Sequence, residues 1–157
     1  MKNMVHIKLN LDSLEDLYHP FSKNTLNPML ASFIYEECFG FPAKNNIEIH
    51  ISSKTNFTKE EKETISNLIH SNFKAELEEE KIKNTFSNTF RTILFFFGIL
   101  LLILIYWVQI EFFHEFLLIL GWLAIWESVY DFLFVEMKER IKRKRYQKIS
   151  KSKIIFE

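Results

Sequence analysis

Between Thr92 and Met137 the sequence contains no Lys or Arg, although 20 basic residues lie elsewhere in its 157 positions. Two apolar runs fill most of that gap. The first, TILFFFGILLLILIYWVQI from Thr92 to Ile110, is uncharged, and as a helix it spans ~28 Å, close to the ~30 Å hydrocarbon core of a bilayer. The second, FLLILGWLAIWESVYDFLFV from Phe116 to Val135, is of similar length but carries Glu127 and Asp131. Such a pair predicts a membrane α-helical hairpin. Only Glu111 to Glu115 lie between the runs, so the two helices must return antiparallel, which puts both termini on one side. Neither run reads as a cleavable signal, because a long, mostly polar stretch precedes the first.

Basic residues close to span ends stay on the cytoplasmic side. Lys81, Lys83 and Arg91 precede the first run, whereas Lys138, Arg140, Lys142, Arg143, Lys144 and Arg145 follow the second, and the connection has none. The expected topology is multi-pass with both termini cytoplasmic. Tyr106 and Trp107 then lie near the outer interface, where amphipathic rings are favoured.

The residues before the membrane read as a small α/β domain. Val5, Ile7, Leu9 and Leu11 alternate with polar residues, as do Ile47, Ile49 and Ile51, the period of strands with one buried face. Asn27 followed by Pro28 predicts a helix start, continued by Leu30, Phe33, Ile34 and Glu37 up to Gly40. Thr58 and Glu61 form a capping box for a second helix, with Ile65, Leu68, Ile69, Phe73 and Leu77 on its apolar face. That helix is expected to run on towards the membrane. Two strands make a marginal sheet, and Ile154 to Phe156, after the basic helix, supply a third. The expected domains are therefore residues 1–80 (strand, helix, strand, helix), 81–137 (hairpin, spans about 92–110 and 116–135) and 138–157 (basic helix and closing strand).

Several function classes are excluded or receive no support. Three glycines in the chain cannot build a glycine-rich phosphate loop or a dinucleotide fingerprint. The single Cys38 rules out disulfide frameworks and cysteine zinc sites, and beside Phe39 and Phe41 it reads as a small buried hydrophobe. No spacing marks a catalytic triad. The expectation is a non-enzymatic protein with no catalytic residue, no cofactor and no metal.

The residues that carry information lie on four surfaces. Glu127 and Asp131, four apart on the second span, form an acidic face; with a turn at Glu111 to Glu115 they fall at the depths of Leu100 and Phe96. Charge at such depth is costly, so this face should meet a protein neighbour or water. Gly98, Gly121 and Ser128 are expected to let the helices approach, with Trp122 and Trp126 packing against the first span or a second subunit. His6, Lys8, Glu48 and His50 occupy the polar faces of the two strands and converge if those strands are neighbours, giving a candidate ligand face. The run Lys138 to Lys153, including Lys138, Arg140, Lys142, Arg143, Lys144 and Arg145, suits anionic lipid headgroups rather than nucleic acid, with Glu76, Glu78, Glu79 and Glu80 as a local alternative.

The segment GWLAIWESVYDFLFVEMKERIKRKRYQKISKSKIIFE resembles the end of a family of small, largely uncharacterised bacterial inner-membrane proteins with two spans and a cytoplasmic α/β domain. Gly121, Trp122, Trp126, the basic cluster and Ile154 to Phe156 carry the resemblance, together with a Pro-Phe-Ser turn at Pro20 and the Leu26-Asn27-Pro28 helix start. Where that pattern has a basic residue and a proline after the second Trp, this chain has Glu127 and Ser128. The architecture is also similar to two-span effectors of antiphage signalling systems. The missing catalytic motif, the acidic face and the cytoplasmic domain together lead to the expectation of an oligomerising membrane effector, or a signal-responsive interaction protein, in the inner membrane. Its partners would be the bilayer, further copies of the chain, and a small-molecule signal or cytoplasmic protein. A membrane scaffold and a transporter subunit are the alternatives.

Overall fold

Alternation in the sequence becomes a three-stranded parallel sheet in the computed structural model, which describes residues 4–11, 13–53 and 57–157. Strand β1 (Met4–Leu11) pairs in parallel with the sheet's central strand β4 (Asn46–Ser53), which follows a small hairpin of β2 (Tyr18–His19) and β3 (Ser22–Leu26) in the chain. The sheet order is β1-β4-β5, where β5 is Lys153–Phe156. Parallel neighbours need a crossover, and α1 (Pro28–Glu37) lies in the one from β1 to β4. Asn27 caps α1 by accepting from the Met29 amide at 3.0 Å, with Pro28 in the first turn. Its side-chain amide also donates to the Asp16 carbonyl at 3.1 Å, tying the helix start to the preceding turn.

The chain divides into two units, residues 1–79 with 141–157 and residues 80–140. In the first, Val5, Ile7, Leu9 and Leu11 of β1 and Ile47, Ile49 and Ile51 of β4 all turn to one face and are buried. They pack with Ile34 and Cys38, with Ile65, Ile69, Phe73 and Leu77 of α2 (Lys59–Leu104), and with Tyr146 and Ile149 of α4 (Glu136–Ile149). Fully burying one such aliphatic side chain contributes about 1.5–3 kcal/mol, so the alternation decides the sheet's orientation. Thr58 and Glu61 form the expected capping box, the Thr58 amide donating to Glu61 Oε2 at 2.8 Å. The closing strand is also where the sequence puts it, Ile154 beside Ile49 and Phe156 beside Ile51. Along α1 the buried stripe runs through Ile34 and Cys38, while Phe33 is 43% exposed, because the helix ends at Glu37 and docks through its other side.

The second unit is an antiparallel pair of apolar helices. Two helical stretches, Lys59–Trp107 and Glu111–Ile149, are each long and apolar enough to cross a membrane. The second comprises α3 (Glu111–Tyr130), a π-helical turn over Asp131–Val135, and α4. The reversal corrects the expected spans. After a 3-10 turn at Ile105–Trp107 the backbone is non-helical only from Val108 to Ile110, whereas Glu111 to Glu115 are already helical. Val108 and Ile110 take extended backbone angles, and the Ile110 carbonyl starts α3 by accepting from the His114 amide at 3.0 Å. Ending the first helix at Trp107 leaves about 26 Å of apolar rise, slightly short of a typical core.

The earlier reversal moves every cross-helix level. Gly98 abuts Gly121 and Ile125, and the Ser128 hydroxyl donates to the Arg91 carbonyl at 3.0 Å. Glu127 is therefore level with the turn at Arg91 and Thr92, not with Leu100, and Asp131 lies one turn further from the reversal than Arg91, not beside Phe96. The difference is about 8 residues along the first helix, or ~12 Å.

Candidate functional site

Two strands in parallel register create the first site. His6 lies directly opposite Glu48, and Lys8 opposite His50, on the face of the sheet that points away from the apolar core. His6 Nδ1 and His50 Nε2 are 3.0 Å apart. Glu48 Oε2 is 3.4 Å from the former and 3.8 Å from the latter. On the far side of the His50 ring, Nδ1 contacts Glu157 Oε1 at 2.6 Å. Because that carboxylate accepts the Nδ1 proton, the Nε2 lone pair of neutral His50 points into the group. The side chains of Glu48 and His50 are 14% and 17% exposed and that of His6 is 50% exposed, so the group is walled on one side and open on the other.

Of the four residues expected on this face, three come together, while Lys8 is exposed one step further along β1. Glu157 is the member that sequence reasoning missed. Its signal was the period of β5: once Ile154 and Phe156 face the core, Lys153, Ile155 and Glu157 fall on the polar face beside Glu48 and His50. His70 bonds the Ser152 carbonyl through Nε2 at 2.9 Å and so fixes the start of β5.

The second site is a buried arginine in the hairpin unit. Arg91 is 4% exposed, its Nη2 donating to Ser87 Oγ at 3.0 Å. Its guanidinium lies 3.8 Å from Glu136 and 3.6 Å from Glu139. The π-helical turn between α3 and α4 shifts the helical phase, and both carboxylates come to face the first helix after it. An open cleft of about 380 Å³ beside this group is lined by Asn88, Arg91, Thr92, Phe95, Ser128, Val129 and Phe132. Sequence reasoning counted Arg91 only as a topology marker. The arginine's partners follow the span rather than lie within it.

Glu127 is exposed and Asp131 half-buried. Gly98, Gly121 and Ser128 are buried between the helices. Trp122 and Trp126 do not pack against the first span: they are 65% and 59% exposed, because Gly121, Ile125 and Ser128 occupy the contact stripe. The basic cluster is also divided. Arg145 stacks on the Phe39 ring at 4.5 Å and reaches the Phe41 carbonyl at 3.4 Å, and Lys142 lies 5.5 Å from the Tyr146 ring centre. Lys142, Arg143 and Arg145 are half-buried, leaving Lys138, Arg140 and Lys144 as the exposed cations of the six. Cys38 is buried, donates to the Ile34 carbonyl at 3.3 Å, and burial pushes its thiol up to about 11, partly offset by Arg145. No family model, curated protein or solved structure matches the chain.

Proposed function

We propose that the chain is an oligomerising effector of the inner membrane whose cytoplasmic α/β domain responds to a ligand bound on its polar sheet face. The observation that carries the membrane part is the solvent-facing surface of the hairpin unit. Phe96, Phe97, Leu100, Ile103, Ile119, Leu123 and Phe132 are each at least half exposed, an apolar surface that water disfavours and lipid accommodates. Lys138, Arg140 and Lys144 then contact anionic headgroups on the side of both termini, each contributing ~1 kcal/mol. The resemblance to two-span antiphage effectors supports the same reading, with the convergent His6, Glu48 and His50 group as the place where a signal is received. Two helices alone enclose no pathway, so any effect on permeability needs several copies.

A scaffold that leaves permeability untouched is the second reading. The level of Glu127 and Asp131 favours it, because carboxylates beside Arg91 and beyond reach headgroup water without a neighbouring subunit. Reconstitution in dye-loaded vesicles separates the two: leakage that rises steeply with protein density supports the effector, and tight vesicles at all densities support the scaffold. Reporter fusions at both termini test the topology, which fails if they lie on opposite sides.

A further inference from the structure

We infer that His6, Glu48 and His50 bind a divalent transition-metal ion, Zn²⁺ as the reference case, with Glu157 positioning His50. Three donor atoms converge here: His6 Nδ1, His50 Nε2 and Glu48 Oε2, separated by 3.0, 3.4 and 3.8 Å. Those separations bracket the ~3.4 Å ligand-to-ligand edge of a tetrahedron with bonds of ~2.0–2.2 Å, the lengths zinc makes to imidazole nitrogen and carboxylate oxygen. Two imidazoles and one carboxylate are a borderline donor set that suits zinc and its neighbours better than calcium or magnesium.

Hydrogen bonding alone satisfies this group poorly. With the His50 Nδ1 proton committed to Glu157, neutral His50 offers only a lone pair at Nε2, and Glu48 offers only lone pairs. One proton, on His6 Nδ1, then serves both acceptors at 3.0 and 3.4 Å. A cation at the centre uses all three lone pairs, and moves the His6 proton to the other ring nitrogen. The 2.6 Å contact from Glu157 to His50 is also the outer-shell arrangement that metal-bound histidines show, in which a carboxylate fixes the tautomer and raises ligand basicity. Two carboxylates balance the charge of one divalent ion. Three protein ligands leave a fourth position, and the half-exposed His6 side chain places that position at the open side, accessible to water or an exchangeable ligand.

The metal gives the sheet face of the proposed effector a ligand and rests on that reading for its role, whereas the binding itself does not. The test uses the full chain in lipid nanodiscs, stripped with a chelator and titrated with Zn²⁺ by calorimetry, with bound metal counted after gel filtration. We expect one ion per chain and, with Co²⁺ in its place, the intense visible bands of a tetrahedral site. The double variant His6→Ala/His50→Ala should lose binding at least tenfold, as should Glu48→Gln, while His114→Ala should bind as the parent does. Glu157→Gln should keep the stoichiometry and weaken affinity ~10–100-fold; unchanged affinity would remove Glu157 from the site. Should a variant unfold, the Co²⁺ spectrum of the unaltered chain still decides, since an octahedral spectrum or substoichiometric binding overturns the inference. Vesicle leakage measured with and without Zn²⁺ separates the two readings: binding without any change in leakage leaves the metal site standing and removes the signalling role, and leakage without binding does the reverse.

Discussion

Ser128 donates its hydroxyl proton to the carbonyl oxygen of Arg91 at 3.0 Å, the same residue whose guanidinium pairs with Glu136 and Glu139. One arginine thus joins points spread over about three turns of the returning helix, through its backbone to α3 and through its side chain to α4. Hydrogen bonds between helices in a bilayer contribute about 0.6–2 kcal/mol, but this one also sets register. With Gly98 against Gly121 two turns nearer the reversal, it fixes which residues of the hairpin are level.

Gly98 should tolerate no side chain. A Cβ there would lie 2.7 Å from Ile125 Cγ1 and 2.9 Å from the Gly121 carbonyl oxygen, and the backbone oxygen has nowhere to go. At Gly121 the nearest atom is the end of the flexible Leu102 side chain, at 2.9 Å. Gly98→Ala should therefore destabilise the hairpin by about 1–3 kcal/mol, and Gly121→Ala by less. Reversible unfolding in mixed micelles measures both, and equal losses would show that the contact relaxes as a whole.

Removing Arg91 leaves Glu136 and Glu139 close together without their shared cation. Breaking a buried ion pair from one side costs about 3–5 kcal/mol, so Arg91→Met should be among the most damaging single changes in this unit. Adding Glu136→Gln and Glu139→Gln to it should recover most of the loss. Thermal unfolding of the three-residue variant no better than that of Arg91→Met would show that the guanidinium acts mainly through packing and Ser87.

Much of this architecture was legible in the sequence, for reasons that differ by residue. Period-two burial identified β1 and β4, the Asn27-Pro28 and Thr58–Glu61 pairs started two helices, and the Ile154 to Phe156 run gave the third strand. The reversal was misplaced by about four residues, because Val108, Gln109 and Ile110 carry no Pro, Gly or charge to mark them, and Glu111 to Glu115 look like a polar turn but form the first turn of α3. That error doubles across an antiparallel pair, which is why Glu127 moved by about eight residues against the first helix. On the sheet, the neighbours of His50 were legible only in part: register brings His6 and Glu48 to it, but Glu157 required knowing where β5 pairs.

Deleting Lys153 to Glu157 should open the sheet. β4 lies between β1 and β5, so the deletion would expose a hydrophobic central strand as an edge and uncover Ile49 and Ile51, both fully buried. The expected result is loss of cooperative unfolding in the α/β unit and rapid proteolysis near Asn46. An unchanged proteolysis rate would mean that β5 is dispensable. Replacing only Glu157 with Gln should leave the rate unaltered, which separates the strand's role from that of its carboxylate.

Cys38 should resist thiol reagents until the fold opens. The residue is 4% exposed, and burial, with Glu37 nearby, raises its titration to about 11 from the usual 9.0 despite Arg145. The folded form therefore holds its proton more tightly than the unfolded form does. That stabilisation is complete below about pH 9 and is lost as pH rises towards 11, amounting to roughly 3 kcal/mol. Thermal unfolding between pH 8 and 11 should show a downward slope that Cys38→Ala reduces. Fast alkylation of the native protein at pH 7 would contradict the burial.

Glu127 and Asp131 lie on one face of the returning helix at the level of Arg91 and beyond. Neither makes an ion pair among the described residues that joins them to Arg91, whose partners are Glu136 and Glu139. At this level, near one end of the apolar stretch, an ionised carboxylate costs less than the roughly 2.5–3.5 kcal/mol of the bilayer centre, and part of the face is still bordered by exposed Trp126, Tyr130 and Phe134. In an oligomer, a second copy packing on that aromatic border would exclude lipid from the carboxylates and keep them wet. Glu127→Leu with Asp131→Leu should therefore draw the hairpin about one turn deeper into the bilayer, weaken association of copies, and abolish leakage from vesicles. Fluorescence quenching of Trp126 by lipids brominated at known depths reads the first effect, and crosslinking in membranes reads the second. A deeper Trp126 with unchanged crosslinking and leakage would make the acidic face a hydrated marker of the interface, and the scaffold reading would then account for the hairpin better than the effector does.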